Sequence, residues 1–123
     1  NMSKILKLNS IVENRGSLTV IEKILPFSIK RVYYIYNLDD SIRGNHRHKK
    51  TIQAAVCVSG SCTISCQSAK GEEILEYTLS SRSDCLLINP EDYHTMYNFS
   101  KDAVLMVLAS ENYDPKDYIY EQY

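Results

Sequence analysis

The chain has 123 residues, 44% of them hydrophobic and 24% charged, a balance that fits one soluble globular domain and excludes a disordered tract or a collagen-like repeat. Lys and Arg number 14 against 15 Asp and Glu, and a formal net charge of -1 gives no global field for nucleic acid or an anionic membrane surface. Ten Tyr, two Phe and no Trp leave an aromatic surface that carries hydroxyls able to bond a polar ligand.

In chain order, Asn1 stands ahead of Met2 and reads as an addition outside the fold. Ser3-Lys4-Ile5-Leu6 opens no long apolar leader, and no run approaches the roughly 18 apolar residues that cross a bilayer, so a cytoplasmic protein without a membrane partner is expected. Short period-two runs follow at 5–8, 17–24, 30–37, 51–59, 62–67, 74–79, 85–89 and 103–109, rich in Ile, Val, Tyr and Thr, which suit half-buried strands. Ser59-Gly60-Ser61 is short enough to close a hairpin, and Ser68-Ala69-Lys70-Gly71 serves the next pair of runs. Cys57, Cys62, Cys66 and Cys85 lack the C-x-x-C spacing of zinc ribbons and read as reduced, buried thiols. At the tail, Asp114 before Pro115 suits an N-cap and first helical position, predicting a short C-terminal helix. Residues 1–123 are thus expected to form a single all-β domain, a sandwich, jelly roll or small barrel.

The densest group of functional side chains is Arg43-Gly44-Asn45-His46-Arg47-His48-Lys49-Lys50. In an extended strand, His46 and His48 project from one face with Cα atoms about 6.5–7 Å apart, near enough to address one ligand or one ion. Gly44 allows a bend or a close approach to the backbone. The plain alternative is a surface strand whose imidazoles and cations are solvated.

The surrounding pattern resembles the cupins. His46 and His48, then Gln53 and the run Ala54-Ala55-Val56-Cys57-Val58-Ser59-Gly60, are similar to the first cupin motif; Ser83-Asp84-Cys85-Leu86-Leu87-Ile88-Asn89-Pro90, followed by His94 and Asn98, is similar to the second. The resemblance implies a cupin-type jelly-roll barrel with the site inside. Metallocupins commonly add a Glu to three His ligands, and here that place is held by Gln53, a neutral amide that substitutes poorly for a carboxylate on a divalent cation. No metal and no other cofactor is therefore expected. Longer words narrow the likeness: Arg31-Val32-Tyr33-Tyr34-Ile35-Tyr36, Arg43-Gly44-Asn45-His46-Arg47-His48-Lys49, Met96-Tyr97-Asn98-Phe99-Ser100, Val107-Leu108-Ala109-Ser110 and the stretch from Tyr113 to Ile119 resemble the FdtA/WxcM-like nucleotide-sugar 3,4-ketoisomerases, in order, over residues 3–120.

That resemblance implies an enzyme that converts dTDP-4-keto-6-deoxy-D-glucose to its 3-keto isomer on the route to 3-amino-3,6-dideoxy sugars. It implies His48 as the catalytic base, Tyr34 as the group that carries a proton between substrate oxygens, and His46 beside them. Arg43 is the electrostatic partner for an enediolate or the diphosphate, since a guanidinium stays charged and donates directed hydrogen bonds. Tyr36, Gln53 and Lys49 are candidate substrate contacts, although Lys49 and Lys50 cannot both point into one pocket from a strand. By resemblance, Arg15 and His94 set the product stereochemistry, with a galacto-configured product expected, and the protein is a homodimer that exchanges N-terminal strands. Competing readings are a deoxysugar 3,5-epimerase, which would leave the carbonyl at C4, a metallocupin enzyme, which would lose activity in chelator, and a nucleotide-sugar binding module without turnover.

Overall fold

The computed structural model describes residues 3–123; Asn1 and Met2 lie outside the described residues. The strands are β1 (Lys4–Lys7), β2 (Asn9–Glu13), β3 (Gly16–Val20), β4 (Arg31–Ile35), β5 (Arg43–His48), β6 (Gln53–Ser59), β7 (Cys62–Gln67), β8 (Leu75–Leu79), β9 (Asp84–Ile88), β10 (Tyr93–Tyr97), β11 (Val104–Ala109) and β12 (Tyr118–Ile119). Two antiparallel five-stranded sheets, in the orders β1-β9-β6-β11-β4 and β12-β5-β10-β7-β8, pack face to face, and β2-β3 forms a separate hairpin. This is the predicted all-β jelly roll. No helix among the described residues is long and apolar enough to cross a membrane.

The interior is filled from both sheets. Ala55, Cys57, Leu86, Ile88, Leu105 and Val107 of the first meet Cys62, Ile64, Cys66, Leu79 and Met96 of the second. Alternation along a strand would leave the opposite face of the first sheet in water, yet Ala54, Val56 and Cys85 are buried there as well. The segment bearing Ile21, Ile24, Leu25 and Phe27 covers the middle of that face, which explains the nearly unbroken apolar run of β6. All four cysteines are buried and unpaired, as expected.

Two connections differ from the sequence reading. Ser59-Gly60-Ser61 does not close a hairpin: β6 pairs with β11 and β9, whereas β7 pairs with β10 and β8, so the turn carries the chain between sheets. Ser61 N–H donates to Ser100 Oγ and Ser100 N–H to the Ser61 carbonyl, tying this corner to the β10–β11 loop. A Cβ on Gly60, at φ 68°, would collide with Ser100 Oγ and Asp102 Oδ1. The second difference is at the tail, where the expected helix is one 3-10 turn, Pro115–Asp117, capped by the Asp114 carboxylate accepting the Lys116 N–H. It ends because Tyr118 turns extended and pairs with His48 as β12 joins the edge of β5.

Candidate active site

The imidazoles are brought together by register. Gly44 and Asn45 take φ 83° and 59°, and the β5–β10 pairing slips there: His94 lies opposite His46, and Thr95 opposite Gly44. Asn45 is therefore the extra residue of a bulge. Gly44 is required at this bulge by the neighbouring strand rather than by a ligand, since a Cβ on it would stand 2.9 Å from the His94 carbonyl oxygen. Past the bulge, period two keeps His48 on the face of His46, and Tyr118 pairs directly with His48. Ring centroids are 4.7 Å apart for His46 and His94, 5.0 Å for His46 and His48, and 6.0 Å for His48 and His94. The Tyr118 ring closes over His46 and His48, at 4.8 Å from the former and 4.6 Å from the latter.

Each ring is fixed through its Nδ1. His46 donates to the Gly44 carbonyl at 2.9 Å, His94 to the Asp92 carbonyl at 3.1 Å, and His48 to Asp117 Oδ2 at 2.9 Å. A carbonyl or carboxylate oxygen only accepts, so the neutral tautomers carry hydrogen on Nδ1 and leave Nε2 with its lone pair. The Nε2 atoms of His48 and His94 are buried and have no protein partner. Burial is the main force holding these imidazoles neutral. It pushes His94 down to about 3, helped by the adjacent His46, and it also lowers His46 and, against the opposing pull of Asp117, His48. A neutral imidazole with a free ring nitrogen is a proton acceptor.

The facing wall comes from the first sheet. Tyr33 and Ile35 of β4 pack into the interior, and the Tyr33 hydroxyl accepts a hydrogen bond from Gln53 Nε2 at 3.1 Å. Burial raises the Tyr33 pKa, which keeps its proton available to donate. The Arg31 guanidinium lies 4.4 Å above the Tyr33 ring and 5.3 Å from that of Tyr113, and its charge reaches both Tyr33 and His48. Arg43 stands opposite Met96 at the start of β5, in register with the inward residues but itself exposed.

Not every predicted site residue gathers here. Strand alternation turns Tyr34 out: it is 62% exposed and pairs with the likewise exposed Tyr36 at 5.8 Å on the outer face. The inward tyrosine is its neighbour Tyr33, a difference of one residue that the duplicated Tyr33-Tyr34 pair hides from the sequence. Arg15 sits at the tip of the β2–β3 hairpin, its side chain 88% exposed and paired with Glu13 at 3.0 Å. Lys49 has an exposed side chain just beyond β5 and contributes its backbone N–H, which donates to the Asp117 carbonyl at 2.9 Å. Arg31, Asp117 and Tyr118 join the site without having been predicted in it. Asp117 and Tyr118 lie about 70 residues from His48, with no local signal beyond their place in the Tyr113 to Ile119 word.

The ligand-type atoms of His46, His48 and His94 lie within 4.8 Å of one another, a set that could offer three nitrogens to a zinc-like ion. Gln53, in place of a carboxylate, is turned to Tyr33 and adds no anionic ligand. The arrangement suits proton transfer among inward-facing polar side chains of an antiparallel barrel, the architecture of a cupin-type acid–base enzyme. The family model FdtA (WxcM-like, C-terminal) matches residues 1–123, and the chain belongs to this family. It is 46% identical over 120 residues to a TDP-4-oxo-6-deoxy-α-D-glucose-3,4-oxoisomerase from Aneurinibacillus thermoaerophilus, covering 95% of this chain and 85% of that one. A 3,4-ketoisomerase from Helicobacter canadensis has a similar structure, with a TM-score of 0.92 and 38% identity over 98% of this chain and 92% of its own. QdtA, a 3,4-ketoisomerase from Thermoanaerobacterium thermosaccharolyticum, solved with TDP as a Tyr-to-Arg and Arg-to-His double mutant, is 44% identical at a TM-score of 0.88 over 97% of this chain and 87% of its own.

Proposed function

We propose that this chain is a TDP-sugar 3,4-ketoisomerase that moves the carbonyl of TDP-4-keto-6-deoxy-D-glucose from C4 to C3. The observation that carries the proposal is His48, a buried imidazole with its Nδ1 held by Asp117 and a free Nε2; the identity to an oxoisomerase of this substrate class supports it. His48 Nε2 removes the C3 proton, and the electron pair forms the C3–C4 double bond of an enediolate whose charge rests on O4. A proton is returned to C4 and the hydroxyl proton leaves O3, so the carbonyl forms at C3 with no net oxidation. Tyr33, inward-facing and protonated, carries the oxygen proton in place of Tyr34, and Arg31 and Arg43 offset the enediolate or diphosphate charge. His46 orients the acceptor ring from the side.

The enzyme works as a homodimer in this reading. Strand β2 is exposed along its whole length, Val12 is 80% exposed and Leu18 58%, while β4 ends its sheet with Val32 and Tyr34 uncovered. Exchange of the hairpin with a second copy would cover these surfaces and bring Arg15 toward the partner's site, where with His94 it favours a galacto-configured product. Four unpaired thiols suit the cytoplasm. The test is carbon NMR of the product made from TDP-4-keto-6-deoxyglucose without added metal. A carbonyl at C3 is expected; one that stays at C4 with inverted neighbours would mean an epimerase instead.

A further inference from the structure

Among the described residues, Asp117 is the carboxylate hydrogen-bonded to the imidazole cluster, and it is held by more bonds than capping a turn requires. Oδ1 accepts the Lys50 backbone N–H at 2.8 Å, while Oδ2 accepts both the Thr51 hydroxyl and His48 Nδ1. Its own carbonyl accepts the Lys49 N–H, so the β5 end and the C-terminal turn are clamped together around this residue. Both partners are almost fully buried. We propose that Asp117 is a positioning residue: it forces the Nδ1–H tautomer on His48, so that the lone pair of Nε2 faces the substrate.

The bonding pattern makes this testable with one atom. The Lys50 N–H cannot reverse its role, so in Asp117→Asn the amide oxygen must stay at the Oδ1 place and the NH2 must take the Oδ2 place. Thr51 can rotate its hydroxyl to accept. His48 Nδ1 then meets a donor, must become the acceptor itself, and sends the ring hydrogen to Nε2. The ring keeps its position while the lone pair moves to the wrong side, the same logic by which an aspartate orients the histidine of a hydrolase triad. Asp117→Glu keeps an oxygen toward His48, and Thr51→Val removes a bond to the carboxylate without touching the tautomer.

This inference rests on the reading of His48 as base, and the measurement separates the two. Ring nitrogen NMR of His48 in the intact protein is expected to show Nδ1–H in the wild type and in Thr51→Val, and Nε2–H in Asp117→Asn. With the ring reversed, kcat should fall roughly 10²- to 10⁴-fold, the span that a positioned acid–base group contributes, with KM changed little and part of kcat recovered in Asp117→Glu. Nε2–H in the wild type, or Nδ1–H retained in Asp117→Asn, would overturn the role of Asp117. A reversed ring with undiminished kcat would instead overturn His48 as the base. If Asp117→Asn does not fold, the wild-type spectrum alone still decides the first point.

Discussion

At the scale of residues, the site depends on imidazoles kept neutral by burial. His94 has no exposed surface, and its pKa is pushed down to about 3. The unfolded chain binds this proton near 6.5, so between those values the unfolded state holds more protons and stability falls as pH falls. His94 alone costs about 1.4 kcal/mol by pH ~5.5, and His46 and His48, also lowered, act in the same direction. Urea midpoints should drop through this range, and His94→Gln should flatten the dependence; an equally steep slope in that variant would contradict the assignment. A second contrast is between adjacent tyrosines. Tyr33→Phe should lower kcat by ~10² or more and Tyr34→Phe by less than about threefold, measured under saturating substrate. Which tyrosine points inward was not legible in the sequence, because either parity of Tyr33-Tyr34-Ile35-Tyr36 fits a half-buried strand. The side-chain bond to Gln53 and the packing of Ile35 settle it.

At the scale of elements, the histidine strand was legible as H-x-H but its partner was not. Strand β10 lies outside every predicted run, because Tyr93-His94-Thr95-Met96-Tyr97 puts a polar residue at a wholly buried position that only pairing with His46 explains. The β6–β7 turn misleads for a related reason: Gly60 marks a corner between sheets as readily as a hairpin. Gly44 supplies the element-scale prediction. Gly44→Ala forces a left-handed backbone on a residue with a Cβ, at roughly 1–2 kcal/mol, and presses that Cβ on the His94 carbonyl. Both melting temperature and kcat should fall, whereas an unchanged protein would mean the bulge does not set the imidazoles.

At the scale of the whole molecule, the sequence made the all-β barrel plain, since alternating runs and turn residues carry that pattern locally. It did not show that the middle strands of the first sheet are buried on both faces, because the covering segment with Ile21, Ile24, Leu25 and Phe27 is irregular and has no periodicity to read. The protruding hairpin leaves apolar surface that one chain does not cover. Light scattering should therefore give the mass of two chains, and Val12→Glu should shift it toward one and reduce turnover; a wild-type monomer with full activity would contradict the exchange. The central claim, that His48 is the base of a 3,4-ketoisomerase, is tested most directly by following TDP-4-keto-6-deoxyglucose by proton NMR in deuterated water, with wild type and His48→Asn side by side. The wild type should build up the 3-keto product without added metal, while His48→Asn should still bind TDP but form no product. Full turnover by His48→Asn would contradict the account.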